Sequence, residues 1–287
     1  MHKIAETELI LTSENKIYHL NLTKDEIADT IILVGDPDRV KIISNKFDSI
    51  EHKIKNREFI THTGTLNGKR ISVIATGIGP DNIDIVVNEL DALVNIDFKT
   101  RTINKKKKTL DLIRLGTSGA LQKDIEVDSL LVAIFGLGFD NIAHFYESEK
   151  IIEHEMSNKF KEYANWPRNL SKPYIVKASD NLVSLFPDIK KGITATAPGF
   201  YGPQGRTLRL NPYITNLHEK MENFNYNNNK ITNFEMETSA LYYLGQSLGH
   251  NTLTICAIIA NRLTKEYSNN YKKTVEEMIN LTLKRIC

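Results

Sequence analysis

The sequence predicts one α/β domain, with helices packed on a mixed or mostly parallel sheet. Short β-rich runs recur along the chain, and several are apolar throughout, as strands buried on both faces are. Amphipathic helical stretches alternate with them, the pattern of an α/β unit. No internal repeat or low-complexity linker interrupts residues 1–287, which reads as a single domain.

The strand candidates are "TIILVG" (30–35), "RISVIATG" (70–77), "LDLIRLG" (110–116), "SLLVAIFG" (129–136), "PYIVKAS" (173–179), "GITATA" (192–197) and "TLTICAIIA" (252–260). Between 82 and 96, Ile83, Val86, Val87, Leu90, Leu93 and Val94 repeat at helical spacing. A second helix is predicted over 235–249, ending at Gly249, a favourable C-terminal cap. The terminal "YKKTVEEMINLTLKRI" is a third, amphipathic helix.

Composition narrows the function classes. Hydrophobic residues make up 41% and charged residues 25%, with a net charge of +2, an ordinary globular balance. Lys105 to Lys108 form a basic run that reads as a solvated loop, so no nucleic-acid partner is expected. The opening "MHKIAETELILTSENK" lacks a secretory pattern, and no apolar run reaches the ~20 residues of a membrane span. Cys256 and Cys287 make no disulfide framework. A cytoplasmic protein without membrane contact is the expectation.

Ligands of open α/β sheets gather at the carboxyl ends of strands. "GDPDR" (35–39), "TGIGPDN" (76–82), "RLGTSGA" (114–120) and "ANR" (260–262) lie there. Gly35, Arg39, Arg114 and Thr117 suit an oxyanion: glycine lets backbone N–H groups approach, and arginine binds phosphate in bidentate fashion. Tight turns with surface arginines would look the same. Neither Gly77-Ile78-Gly79 nor Gly136-Leu137-Gly138 completes a dinucleotide fingerprint, and there is no P-loop. In "NFEMET" (233–238), Glu235 and Glu237 are read as opening a helix, where they either cap it or grip the vicinal hydroxyls of a sugar. "HEM" (154–156) lacks the second histidine of a helical zinc motif, and no nucleophile elbow occurs. No metal site is expected.

The stretch "GFYGPQGRTLRL" (199–210) reads as a surface loop that holds Gln204 and Arg206 two residues apart, just after Phe200 and Tyr201. An amide and a guanidinium together can read a planar ring of carbonyls and N–H groups, with an aromatic face stacked on it. A polar turn is the plainer reading. Since both side chains sit on a loop, their exchange is expected to leave folding intact.

"GDPDR", "RLGTSGA", "GFYGPQGR", "NFEMET" and "IIANR", in this order, resemble the uridine phosphorylase branch of the nucleoside phosphorylase family, from about His19 to Leu263. The resemblance implies an α/β/α sandwich with a mixed central sheet, a phosphate co-substrate with no cofactor, and homo-oligomers built from dimers, commonly hexamers. It implies phosphate binding by Gly35, Arg39, Arg114 and Thr117, with Arg57 donated by a neighbouring subunit. His19 would reach the ribose across the same interface, joining Glu235, Met236 and Glu237. Phe200, Gln204, Arg206, Phe234, Ile259 and Arg262 would surround the base, with Arg262 bracing Gln204 from behind. Arg206, Gln204 and Arg114 would carry the chemistry, phosphorolysis of a pyrimidine nucleoside.

There are departures from the family pattern. Phe234 replaces a frequent tyrosine, and Asn82 stands in place of a serine near the family's monovalent-cation site, which speaks against a potassium requirement. Segments 99–109 and 218–230 look longer than typical. Purine phosphorylases and nucleosidases of the family use an aspartate near "ANR" to protonate a purine, and Asn261 and Arg262 here disfavour that alternative. A nucleoside- or phosphate-binding protein without turnover is the rival from another class.

Overall fold

The computed structural model describes residues 3–147 and 149–287. In chain order the elements are β1 (Thr30–Val34), α1 (Pro37–Ser44), β2 (Ser49–Asn56), β3 (Phe59–Leu66), β4 (Lys69–Ala75), α2 (Pro80–Asn95), β5 (Ile96–Asp97) and β6 (Thr102–Ile103). They continue with β7 (Asp111–Ala120), β8 (Leu130–Gly138), α3 (His154–Tyr163), β9 (Tyr174–Lys177), α4 (Asp180–Val183) and β10 (Lys190–Thr196). The last are α5 (Leu217–Asn223), β11 (Asn225–Tyr226), β12 (Asn229–Glu235), α6 (Thr238–Ser247), β13 (Asn251–Asn261), β14 (Glu266–Tyr267) and α7 (Tyr271–Ile286).

Among the described residues, twelve strands form one mixed sheet in the order β11-β12-β10-β8-β13-β7-β1-β4-β3-β2, with β9 on β8 and β14 on β13. β1 is buried at every position, between the parallel neighbours β4 and β7. β13 is buried along most of its length, and α6 and α7 both pack on it. Continuous burial of these Ile-, Leu- and Val-rich strands is why they read as apolar runs rather than alternating ones. No helix among the described residues is long and apolar enough to cross a membrane.

The course of β7 positions the site. One edge pairs with β13 along the whole strand. The other edge pairs first with β1, through Asp111 to Leu115, and then with β12, where Gly119 faces Phe234 and Ala120 faces Asn233. Because β12 also joins β10, β10 joins β8 and β8 joins β13, five strands close into a ring. Asn233 helps to seal it: its Nδ2 donates to Ser118 Oγ at 2.8 Å. Between the two partners of β7, at Gly116 to Ser118, the sheet parts. Such a split is where open α/β sheets place ligands.

Two expectations need correction. The helix predicted over 235–249 begins at Thr238, with Glu237 at its N-cap, and Glu235 is the last residue of β12. The 199–210 stretch is irregular apart from a short turn at Gly202–Gln204, but Gln204 is buried, only 2% exposed, rather than a surface side chain.

Candidate active site

A cavity of about 520 Å³ opens where the sheet parts, lined from the ends of β1, β7, β12 and β13 and from the loop after β10. All the residues expected at the site line it except His19 and Arg57. The wall also includes Pro37, Ile78 and Ser118, which lie within the strand-end motifs, and Tyr267, which no motif marks.

One cluster centres on Arg114, in the middle of β7. Its guanidinium is buried between two carboxylates, Glu235 at 3.3 Å and Glu237 in a closer ion pair. Gly116 exists for this side chain: a Cβ there would stand 2.0 Å from Arg114 Nη1. Among the described residues Arg114 Nε and Nη1 meet no hydrogen-bond acceptor in good geometry, Nη1 having only the 3.3 Å ion pair with Glu235, and buried donors of this kind are costly. Arg39, at the start of α1, approaches from the neighbouring strand end and donates to the Leu115 carbonyl at 3.0 Å. Burial pulls the Arg114 guanidinium down, but Glu237 and Glu235 more than reverse this, so it stays charged. The Arg39 guanidinium is lowered, chiefly by burial, with Arg114 adding repulsion.

The two glutamates divide their work. Glu235 accepts N–H groups from Glu237 at 2.9 Å and Thr238 at 3.0 Å, and the Thr196 hydroxyl at 2.7 Å. It therefore caps α6, with its carboxylate engaged inside the protein. Glu237 Oε1 accepts the Gly79 N–H at 2.8 Å, which ties the "TGIGPDN" turn to the site. Gly79 sits at φ +102, where glycine is favoured. Burial, opposed by Arg114, raises the Glu237 carboxyl above its ordinary range.

A second cluster centres on Gln204. Its Oε1 accepts from Arg206 at 2.6 Å and from Arg262 at 2.8 Å, and Arg262 also donates to the Gln204 carbonyl at 2.7 Å. Both lone pairs of the amide oxygen are thus engaged, while its NH₂ group has no hydrogen-bond partner among the described residues. The Arg206 guanidinium lies 3.6 Å over the Phe200 ring. Burial and then Arg206 lower the Arg262 guanidinium to about 10. Ile259 enters the wall through a bulge: Ile258 pairs with Ser118 and Ala260 with Gly119, so Ile259 is the extra residue. Bulges of this sort re-aim side chains beside active sites.

Asn261 does not join this cluster. Its Nδ2 donates to the carbonyls of Gln122 at 2.9 Å and Ile125 at 2.8 Å, and its Oδ1 accepts the Leu263 N–H at 2.9 Å. It pins a turn and points no acid into the cavity.

His19 and Arg57 lie together on a separate patch of the same chain. His19 Nδ1 is 2.7 Å from Glu89 Oε1, and Asn56 Nδ2 donates to the His19 carbonyl at 2.8 Å. Arg57, at φ +52 in the turn between β2 and β3, donates to the Tyr18 hydroxyl at 3.2 Å.

A sequence model of the phosphorylase superfamily matches residues 29–286. The chain belongs to the phosphorylase superfamily. Within the superfamily it is similar to a uridine phosphorylase of Thermococcus kodakarensis, 29% identical over 273 residues, covering 95% of this chain and 87% of the relative. It is also similar to a DeoD-type purine nucleoside phosphorylase of Brevibacillus brevis, 29% identical over 268 residues, with coverage of 92% and 96%. Among solved structures, a Trypanosoma brucei nucleoside phosphorylase described as showing uridine phosphorylase activity superposes with a TM-score of 0.87 at 29% identity, covering 96% of this chain and 98% of that one. This phosphorylase superfamily chain is an enzyme of the nucleoside phosphorylase type, a pentosyltransferase, with the mixed-sheet fold of its relatives.

Proposed function

We propose that this enzyme is a uridine phosphorylase, converting uridine and phosphate to uracil and ribose 1-phosphate. The observation that carries the reading is the Gln204 amide, whose oxygen is held by Arg206 and Arg262. That leaves N–H donors, from Gln204 and Arg206, to face the base. Donors suit the carbonyl oxygens of uracil, where negative charge gathers as the glycosidic bond breaks. Purine cleavage calls for a proton donor to the leaving base, and Asn261 is turned into the fold instead.

The rest of the cavity fits the same reaction. Phosphate is already anionic and needs placement under the anomeric carbon, not a base to activate it. Arg39 with the unmatched donors of Arg114, beside Gly35 and Thr117, would supply that placement. Two glutamates offset much of the Arg114 charge, so a dianion calls for more positive charge than one chain brings. Arg57 from a neighbouring subunit would supply it, and His19, adjacent to Arg57, would reach the ribose by the same route. Glu237 would accept the ribose hydroxyls as the sugar approaches an oxocarbenium ion.

The test is uridine cleavage with and without phosphate, following absorbance and assaying ribose 1-phosphate. Uridine loss that requires phosphate, with inosine and adenosine slow, is the expected result. Equal rates in phosphate-free buffer would make the enzyme a hydrolase, and faster purine turnover would overturn the base assignment.

A further inference from the structure

Helix α5 belongs to the segment that the sequence marks only as longer than usual. Its first turn carries His218, half-buried, with Nε2 2.7 Å from the Gln204 carbonyl oxygen and 2.8 Å from Arg262 Nη1. Those two atoms are themselves 2.7 Å apart, so imidazole, carbonyl and guanidinium form one tight triangle behind the base clamp. The ring lies directly over Gly205, at φ +68, where a Cβ would come within 3.1 Å of Nε2. Leu217 and Met221, buried in a core cluster with Phe160, Trp166 and Phe224, fix α5 in place and hence the ring.

A neutral imidazole nitrogen is one donor or one acceptor. As Nε2–H it donates to the Gln204 carbonyl; in the other tautomer it accepts from Arg262. Each form bonds one of the two groups that orient the Gln204 amide, and those two are bonded to each other. The charged groups facing it are Arg262, from the end of β13, and Arg206, from the loop after β10. Both arginines bond to Gln204, and neither pairs with a carboxylate among the described residues. On α5 itself Glu219 is exposed to solvent.

We propose that His218 is a positioning residue for base recognition: its uncharged ring braces the pair of Gln204 and Arg262 by bonding one member of it, and protonation loosens that pair by setting a third positive charge beside two guanidiniums. The inference rests on the clamp facing the base, as in the proposed function. Burial, then Arg262 and Arg206, lower the His218 pKa from 6.5, against the pull of the Gln204 carbonyl, so the neutral form prevails at pH 7.

The experiment compares wild type, His218→Asn and His218→Leu in steady-state kinetics from about pH 8 to about pH 5, across the imidazole range. Asparagine keeps a donor and an acceptor and never charges. His218→Leu is expected to raise the nucleoside KM roughly five- to tenfold, the net worth of about one hydrogen bond, with the phosphate KM unchanged. The wild-type nucleoside KM is expected to climb as pH falls below the imidazole range. His218→Asn should bring KM back to within about threefold of wild type and remove that climb, since it cannot protonate. An unchanged nucleoside KM in a folded leucine variant, or the same acid climb in the asparagine variant, overturns the proposal. If the leucine variant does not fold, the asparagine pH profile decides alone. If the wild type cleaves a purine nucleoside instead of uridine, the same comparison is made on that substrate, so the two readings fail separately. If neither is cleaved, uracil binding by calorimetry replaces KM, and absence of binding overturns both.

Discussion

At Gln204 one amide oxygen serves two guanidiniums, and this changes what its loss would do. On the sequence alone Gln204 and Arg206 are two polar side chains on a loop, whose removal leaves the fold untouched. Burial of Gln204 corrects that for one of them. Gln204→Ala strands Arg262 beside Arg206, and we expect a higher uridine KM together with a lower Tm, by about 1–3 kcal/mol of unmet hydrogen bonding. Arg206 is more exposed and its charge answers charge that develops only in the transition state. Arg206→Ala should lower kcat by roughly 10²–10³ with an unchanged circular dichroism spectrum. Kinetics and thermal melts on both variants separate the two cases, and near-wild-type turnover in Arg206→Ala would return the loop to a polar turn. Gly116 makes a sharper case, because any side chain there meets the Arg114 guanidinium. Gly116→Ala should raise the phosphate KM at least about tenfold, one lost charge-assisted contact, with a smaller effect on the nucleoside. Equal effects on both substrates would show a general collapse of the cavity instead.

Among the elements, the apolar strands buried on both faces were legible, and those carrying charged or amide side chains were not. "TIILVG" and "TLTICAIIA" announce β1 and β13 because both faces are covered. β2, "SIEHKIKN", alternates between exposed and half-buried positions at the sheet edge, and its charged residues hide the alternation. β12 carries Asn229, Lys230 and Asn233, and Asn233 is tolerated inside only because Ser118, Thr194 and Thr232 satisfy its amide. With β12 hidden in this way, the sequence places the start of the following helix three residues too early, with Glu235 on it. The site residues were legible as strand-end motifs, whereas His218 was not, since one histidine on a short helix has no spacing to mark it. Packing of α1 on β3 also carries a pH signature. His62 of β3 lies 2.7 Å from Ser44 Oγ of α1, and burial, then Lys53, lower its pKa from 6.5. A folded-state pKa below the unfolded one means that the unfolded chain binds protons more readily. The stabilising contribution is therefore present above pH 6.5 and is lost as pH falls through the folded value. Tm should drop on acidification, and less steeply in His62→Gln; identical pH slopes in the two proteins would exclude His62 as a source.

For the whole molecule, the patch holding Tyr18, His19, Asn56 and Arg57 stands apart from the cavity of its own chain. If it completes the cavity of a neighbour, each subunit alone lacks part of the phosphate and ribose contacts. Arg57→Ala and Arg114→Ala proteins, each inactive, should regain activity when mixed under conditions of verified subunit exchange, because some mixed sites then carry both arginines. No recovery, or a fully active monomer, would put the missing positive charge elsewhere.

The closed ring has a consequence for how the chain reaches this state. β7 is made from residues 111–120, yet the strand between it and β8 is β13, residues 251–261, and the strand that seals its far end is β12, residues 229–235. Contacts so distant along the chain must wait for large loops to close, which slows folding. A chain emerging from the ribosome can pair β1 to β4 early, but β7 and β8 keep unpaired edges until more than a hundred further residues have followed. β13, the last long strand to arrive, also carries Ile259 and leads directly into Arg262. On this topology the wall that β13 gives the cavity and the cover for the facing edges of β7 and β8 depend on the same late-made strand.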